Sequence, residues 1–327
     1  MTTTIMQKDK ANRGSDTSID LLKGFAILVV ILGHIASPLT SFIYSWHMPL
    51  FFFVSGFFIK TNESTREYLI KNFKKIMVYF FVFALIGFFF TYFRNILLHR
   101  ENENILGGVF NMFLWMDMDH IKNYGFVLWF LPALFWGKFI NFILLKYLKN
   151  KLLIGCLIFS IFYLIISTKI KLPFVTDLGM ISALWIYIGY IIYNFYKEKI
   201  LNYWPYYIFI LPLILVLLPI PDLNLSIRYF SSPLYNIFYS LLIIVFLFVS
   251  FNKLNWQGKI NKHLQFIGQN TMFLFVFHPY TNNIIYLISN KYFGNLWYIN
   301  FILSFGLIYV ILLIVRKYFN KGILKYV

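Results

Sequence analysis

Long apolar segments separated by short polar connections run through the whole chain. A helix needs about 20 mostly apolar residues to cross a bilayer. Ten segments approach that length, at residues 20–40, 43–59, 75–98, 125–148, 151–168, 176–196, 203–220, 234–251, 266–289 and 296–315. Runs such as residues 241–249 are continuously apolar, whereas the strands of a membrane barrel alternate. The pattern predicts an all-α integral membrane protein, a bundle of about ten transmembrane helices.

The composition supports this prediction and excludes several classes of protein. Hydrophobic residues make up 60% of the 327 residues, and charged residues make up 13%. A soluble domain carries about 45–50% apolar and about 25% charged residues. The composition therefore excludes a soluble globular enzyme, a disordered chain and a fibrous repeat.

The basic residues predict the orientation of the helices. The formal net charge is +17, from 29 Lys and Arg against 12 Asp and Glu. In membrane proteins these cations gather in the cytoplasmic connections. With the N-terminus inside, 20 of them fall in inside segments and 7 in outside segments. We therefore expect both termini in the cytoplasm, with membrane lipid rather than nucleic acid as the partner of the positive charge.

A single membrane domain is expected, because no soluble segment of the sequence is long enough to form a separate domain. The sequence also shows no internal repeat at a fixed period. We divide the chain into a cytoplasmic N-terminal tail at 1–19, a ten-helix domain at 20–315 and a basic cytoplasmic C-terminal tail at 316–327. The one cysteine, Cys156, rules out a disulfide framework and a cysteine metal site. No carboxylate or thiolate supports the histidines of the spans as ligands, so no metal site is predicted.

The first span carries ionisable residues, which are costly in a membrane and tend to face the bundle interior. Lys23 and His34 are eleven residues apart, so they lie close to the same helix face. Asp20 precedes Lys23 by three residues, a spacing that lets the two side chains pair. Two structural alternatives remain: Lys23 extending to the membrane surface, and His34 as a buried, hydrogen-bonded side chain.

Other spans carry polar residues of the same kind. His47 opens the second span, Lys138 lies near the middle of the fourth, and His278 precedes Pro279 in the ninth. His47 and His34 are expected at comparable depth, because the connection between their helices is short. The alternatives are interfacial anchoring for His47 and a polar contact between helices for His278.

Three lysines, Lys71, Lys74 and Lys75, precede the third span on the predicted cytoplasmic side. Two interpretations compete. The lysines can simply follow the bias of cytoplasmic connections toward positive charge. They can also hold phosphate groups as point charges.

Four blocks of the chain together resemble the membrane acyltransferase type 3 family, especially its fucose 4-O-acetylase-like branch of sugar O-acetyltransferases. These blocks are residues 19–24 (IDLLKG) leading to His34, 47–56 (HMPLFFFVSG), 128–134 (LWFLPAL) and 266–271 (FIGQNT) leading to His278. The family has ten spans with both ends cytoplasmic, in agreement with the count above. One departure is that its Arg-x-x-Arg motif reads Lys71-Asn72-Phe73-Lys74 here.

The resemblance implies transfer of an acyl group, usually acetyl, from cytoplasmic acyl-CoA to a hydroxyl of a cell-surface polysaccharide or its precursor. A sugar hydroxyl needs a base, and an imidazole, with an ordinary pKa of about 6.5, suits that role. We expect His34 to be this base, and we expect Lys23, steadied by Asp20, to complete the catalytic group along the path of the pantetheine arm of CoA. Direct transfer and a covalent acyl-histidine both remain open.

The resemblance assigns the remaining site residues to two groups. Lys71, Lys74 and Lys75 would hold the phosphates of CoA. The acceptor, or the oxyanion that forms during transfer, would meet four residues: His47, Trp129, Asn270 and His278.

Further expectations concern cofactors, partners and location. Acetyl-CoA is expected as a co-substrate, with no permanently bound cofactor. The expected partners are a glycan or lipid-linked sugar acceptor and glycan-assembly machinery, in the cytoplasmic membrane of a bacterial cell. Two alternatives remain: a transporter or flippase for a lipid-linked sugar or polysaccharide, and a non-catalytic member of a glycan-assembly complex.

Overall fold

The computed structural model describes residues 17–318, except 103, 122, 254–257 and 295. Most of the predicted tails, at 1–19 and 316–327, therefore lie outside the described residues. The α-helices in chain order are α1 Thr17–Gly33, α2 Thr40–Tyr44, α3 His47–Gly56, α4 Thr65–Asn72, α5 Val78–Leu97, α6 Ile105–Trp115, α7 Phe130–Tyr147, α8 Lys151–Thr168, α9 Thr176–Ile191, α10 Lys197–Asn202, α11 Trp204–Leu217, α12 Pro233–Lys253, α13 Lys259–Gln269, α14 Thr271–Phe293 and α15 Trp297–Tyr318.

Shorter elements join these helices. They are 3₁₀ turns at Asn123–Trp129, Pro173–Val175 and Leu225–Ile227, π-helical turns at Phe73–Met77 and Ile192–Tyr196, and strands β1 Leu223–Asn224 and β2 Tyr229–Phe230. The two strands pair antiparallel, with Leu223 opposite Phe230. The segment 223–230 is therefore a small hairpin in an otherwise helical fold, and we call it the hairpin below.

Six helices in the described part of the chain are long and apolar enough to cross a membrane. They are Thr65–Leu97, Gly125–Tyr147, Lys151–Thr168, Pro173–Asn202, Pro233–Lys253 and Trp297–Tyr318, where adjoining elements are counted as one helix. Each of them overlaps one of the ten predicted spans. The protein is thus a mainly helical, multi-pass membrane protein, and the count of ten spans stays a prediction.

The other four predicted spans are shorter or interrupted. In the first predicted span the helix ends at Gly33. The second predicted span contains only the end of α2 and the ten-residue α3. The span at 266–289 breaks at Asn270, between α13 and α14. Two of these interruptions place His34 and His47 at helix ends.

The short helix α3 is held in the bundle by close packing against α9. Any Cβ added to Gly56 would overlap the carbonyl oxygen of Ile186, and one added to Gly189 would overlap that of Phe53. Small residues let helix backbones approach closely in a membrane, where association depends on van der Waals packing. Glycines on both helices thus hold the C-terminal half of α3, the helix that His47 opens, against α9.

The first helix is fixed in the same way against α13. A Cβ at Gly24 would overlap the carbonyl oxygen of Leu264, and one at Gly268 would overlap that of Asp20. Helix α1 also contacts α3, α12 and α14. It therefore lies inside the bundle, with Lys23 and His34 surrounded by other helices.

We expect Gly189→Ala to destabilise the protein. The new methyl group would force α3 and α9 apart, and overpacking of this kind typically costs about 1–3 kcal/mol. The apparent melting temperature in detergent, followed by tryptophan fluorescence, should fall by several degrees. Gly306→Ala is the matched control, because nothing lies near a Cβ at that helical glycine. Equal melting temperatures for the two variants would contradict the packing argument.

Candidate functional site

Three histidines from three different elements meet near one end of α1. His34 follows the last residue of α1, His47 opens α3, and His278 lies within α14. The ring centroids of His34 and His278 are 5.1 Å apart. The ring of Tyr44 lies 6.0 Å from that of His34 and 5.1 Å from that of His47. In the described part of the chain, no group of three or more His, Cys, Asp or Glu side chains is placed to hold a metal ion.

Pro279 explains the orientation of the His278 ring. A proline has no N–H, so the carbonyl of Phe275 loses its donor in α14. The Nδ1 of His278 lies 2.8 Å from this carbonyl oxygen and 3.1 Å from that of Leu274. Because a carbonyl only accepts, Nδ1 carries the hydrogen and Nε2 of the neutral ring keeps its lone pair. This Nε2 is buried and has no hydrogen-bond partner among the described residues.

The other two histidine rings are also held by neighbouring groups. His47 is buried, and its Nδ1–H donates to the carbonyl of Ile43 at 2.8 Å, so its Nε2 is an acceptor as well. His34 is half-buried, and its Nδ1 lies 3.4 Å from the hydroxyl of Tyr44. Either atom of that contact can donate. The Tyr44 hydroxyl thus orients the His34 ring and leaves its Nε2 available for proton transfer.

A small cavity of about 80 Å³ lies between His34 and His47, and we call it the histidine cavity. Trp129, Phe275 and Met48 form part of its wall. The hairpin closes another side of it, with Asn224 and Ser226 among the lining residues. The cavity therefore combines imidazole rings, apolar walls and a few polar groups, as ligand sites commonly do.

A second cavity, of about 200 Å³, contains Lys23 and Lys138, and we call it the lysine cavity. Met48 and Phe275 line both this cavity and the histidine cavity, so the two adjoin. Lys23 Nζ lies 2.9 Å from Asp20 Oδ1, as its spacing predicts. The other oxygen of Asp20 accepts from the amide of Gln269 at 3.1 Å.

Lys138 differs from Lys23 in having no ion pair or hydrogen bond to its ammonium among the described residues. It interacts electrostatically with Lys75 and Lys71, which repel it, and with Glu63. Lys71 itself forms an ion pair with Glu63. The described lining of the lysine cavity therefore contains two lysines and no carboxylate, and further lysines interact with Lys138.

A third cavity, of about 230 Å³, lies on another side of His34, and we call it the asparagine cavity. Asn282, Asn283 and Asn300 line it, together with Tyr286. His34 and Phe126 border both this cavity and the histidine cavity. Among the described residues, the lysine, histidine and asparagine cavities thus adjoin in that order, with His34 between the histidine cavity and the asparagine cavity.

The sequence profile of a family described as an acyltransferase domain, acyltransferase 3, matches residues 16–316. The chain belongs to this acyltransferase family. No curated protein and no solved structure matches it. The match includes every cavity-lining residue named above, so the cavities lie within the acyltransferase domain.

The structure places the remaining predicted site residues of the acyltransferase in different positions. Lys74 and Lys75 are exposed on the π-helical turn between α4 and α5. Asn270 lies at the break before α14, outside the wall of the histidine cavity. Its Nδ2 donates to the carbonyl of Phe266 at 2.7 Å, and its Oδ1 accepts from Arg316 Nε at 2.5 Å. The amide of Asn270 is therefore occupied by these two contacts.

A buried ion-pair network that the sequence analysis missed anchors the hairpin of the acyltransferase. Arg228 donates to both oxygens of Asp177, at 2.6 and 3.3 Å, and lies 3.8 Å from Asp117. Asp177 and Asp117 are buried. Asp117 also contacts His120 Nδ1 at 2.6 Å. The sequence shows Arg228 only as one cation in a connection, because its partners lie far away along the chain.

A neighbouring pair in the same region is exposed instead. Lys171 Nζ lies 2.7 Å from Asp119 Oδ2, and both side chains are about half exposed. The hydrogen bond from the Lys171 ammonium holds the pKa of Asp119 below its ordinary value. Such exposed pairs contribute little to stability, which makes this pair a suitable comparison for the buried one.

We expect Asp177→Asn to release the hairpin from the bundle. Breaking a buried ion pair typically costs about 3–5 kcal/mol, because one charge stays buried without its partner. Trypsin cleavage after Arg228, whose side chain is 7% exposed in the intact pair, should become much faster. Lys171→Ala, which breaks the exposed pair, is the control and should leave cleavage at Arg228 unchanged. Wild-type resistance in Asp177→Asn would show that the hairpin is held by other contacts.

Proposed function

We propose that the protein is a membrane-bound O-acyltransferase that moves an acetyl group from acetyl-CoA to a hydroxyl of a cell-surface polysaccharide or its precursor. One observation carries the proposal: His34 stands between the histidine and asparagine cavities, and the histidine cavity adjoins the lysine cavity. Along this series, the lysine cavity supplies cations, His34 supplies an imidazole, and the asparagine cavity is lined by uncharged side chains. Membership of the acyltransferase family supports the reaction class.

The proposal includes the ten-segment topology, with both termini in the cytoplasm of a bacterial cell. Irregular backbone at membrane depth is tolerated where it lines a cavity. His34 and His47, at two of the interruptions, line the histidine cavity, and Thr271, next to the third, lines the lysine cavity. In this topology the lysine cavity faces the cytoplasm, where acyl-CoA is available.

The lysines suit the phosphates of CoA. Lys138 lines the same cavity as Lys23, and it interacts electrostatically with Lys71 and Lys75. Lys74 lies on the same π-helical turn as Lys75. An ammonium binds phosphate as a compact point charge. Because Asp20 already pairs with Lys23, Lys138 is the stronger anion ligand of the two. The narrow pantetheine arm would pass Met48 and Phe275 to bring the thioester beside His34.

His34 is then placed to act as the general base. It removes the proton of the acceptor hydroxyl while the oxygen attacks the thioester carbonyl. The C–S bond breaks as the oxyanion collapses, and the imidazolium returns the proton to the leaving thiolate. Proton transfer by a positioned histidine typically contributes about 10²–10⁴-fold in rate.

The tautomers narrow the choice of oxyanion donors. Neutral His47 and His278 each use Nδ1–H on a backbone carbonyl, so their Nε2 atoms can only accept. The amide of Asn270 is occupied by Phe266 and Arg316. Trp129, whose indole nitrogen is a donor only, is the remaining predicted candidate in the wall of the histidine cavity.

Replacing His34 with alanine should lower acetyl transfer at least about 100-fold, because the hydroxyl loses its base. Purified protein in nanodiscs would be given radiolabelled acetyl-CoA and a crude extract of glycan precursors, with thioester loss and label transfer both measured. His263→Ala is the control, since His263 is exposed, contacts Tyr309 and lines none of the three cavities. Full activity in folded His34→Ala protein would refute this role.

Replacing Lys138 with methionine should raise the KM for acetyl-CoA about tenfold and change kcat little. A hydrogen bond to a charged group contributes about 1.5–3 kcal/mol, and the variant loses it to phosphate. S-acetylpantetheine lacks the nucleotide phosphates of CoA, so its KM should be the same for variant and wild type. Lys291→Met, at the far end of α14, serves as the control. An equal rise in KM for both donors would argue for a structural role of Lys138.

A further inference from the structure

The asparagine cavity has no part in binding the acyl donor as described above. It is nearly three times as large as the histidine cavity, at about 230 against about 80 Å³. None of its described lining residues is Asp, Glu, Lys or Arg. Its polar groups are the three asparagine amides, the hydroxyl of Tyr286 and the imidazole of His34.

One of these amides presents an unused acceptor. Asn282 is 8% exposed, and its Nδ2 donates to the carbonyl of Ile31 at 3.1 Å. Its Oδ1 is buried and has no hydrogen-bond partner among the described residues. Buried polar atoms are nearly always paired, so an unpaired one in a cavity wall points to a ligand that supplies the donor.

We propose that the asparagine cavity binds the acceptor as an uncharged, hydroxyl-rich sugar residue, with Asn282 Oδ1 accepting a hydrogen bond from a sugar hydroxyl. This inference rests on the proposed function, since it places the acceptor hydroxyl beside His34. Phe126 and Tyr286 provide aromatic faces for the apolar side of the sugar ring. Small-molecule sites usually combine aromatic and apolar walls with a few polar groups, and the asparagine cavity has this composition.

The charges that line the lysine and asparagine cavities assign the acyl donor and the acceptor to different cavities. CoA carries phosphates, and the asparagine cavity offers no Lys or Arg to hold them, whereas the lysine cavity does. A carboxylate-bearing sugar would also lose its hydration without gaining a cation. An uncharged sugar avoids both costs, because amides can satisfy its hydroxyls as donors and acceptors.

The volumes of the two cavities beside His34 indicate which one takes the sugar ring and which one takes the acetyl group. An acetyl group is far smaller than a hexose ring, and the histidine cavity is the smaller of the two. His34 and Phe126 border both. The acetyl carbonyl on one side and the sugar hydroxyl on the other therefore both reach the same imidazole.

Direct binding tests this assignment without any acyl donor. Saturation-transfer NMR on the full chain in nanodiscs would use the methyl glycosides of glucose, galactose, fucose and N-acetylglucosamine, with methyl glucuronoside as the charged probe. At least one neutral glycoside should bind the wild type. Asn282→Ala should weaken that binding at least tenfold, and Tyr286→Ala should weaken it measurably. Tyr286 is 43% exposed, so its truncation is expected to leave the fold intact.

Asn141→Ala is the matched control. Asn141 is also a buried helical amide, whose Nδ2 donates to the carbonyl of Ala183 at 3.0 Å and whose Oδ1 is unpaired. It does not line the asparagine cavity. Glycoside binding should survive in Asn141→Ala, and an equal loss in both asparagine variants would overturn the assignment as a general effect of deleting a buried amide.

Three other results would also overturn it: no binding of any neutral glycoside, binding that Asn282→Ala and Tyr286→Ala leave unchanged, or equal binding of the glucuronoside. The outcome is separable from the proposed function. Glycoside binding is measured without acetyl-CoA, while the transfer assay with His34→Ala uses a crude acceptor extract. Transfer that requires His34, together with glycosides that fail to bind, would refute only the acceptor site.

Discussion

The hydrogen bond from His278 to the carbonyl of Phe275 satisfies a backbone group inside the membrane and also orients a ring of the candidate site. Inside a bilayer every backbone polar group must find a partner within the protein. Pro279 removes the donor that Phe275 would have had, and the His278 ring replaces it at 2.8 Å. The same bond fixes the tautomer of His278 and holds its ring 5.1 Å from that of His34. One backbone requirement therefore sets both the continuity of α14 and the arrangement of two imidazoles.

That arrangement also needs α1 and α3 to stay in place, although α3 has only ten residues. Glycines supply the contact: Gly189 lets the backbone of α9 meet α3, and Gly268 lets α13 meet α1. These contacts lie in the half of each helix away from His34 or His47, so they fix the helices that carry the two histidines and not the histidine ends themselves. Because interiors are packed nearly as densely as crystals, small shifts at these crossings would be felt at the cavities between the helices.

Local patterns in the sequence predict the parts of this structure that depend on neighbours along the chain. The spacing of Asp20 and Lys23 predicts their ion pair, which is present, and continuous apolar runs predict the six long helices. Contacts between distant residues could not be predicted. Arg228 finds Asp177 only through the fold, and Asn270 turns to Arg316 instead of the histidine cavity. The division of the interior into cationic and uncharged cavities is likewise a product of tertiary packing.

This division bears on the choice between group transfer and transport. A transporter must let the whole sugar pass through its path, so each compartment has to admit the solute. Here the histidine cavity, of about 80 Å³, lies between the lysine cavity and the asparagine cavity, and it shares Met48 and Phe275 with the lysine cavity. An acyl group on a thin pantetheine arm fits such a passage far better than a sugar ring does. In the reaction that we propose, two substrates approach His34 from opposite sides and only the acyl group crosses between them, so the small volume of the histidine cavity is no obstacle.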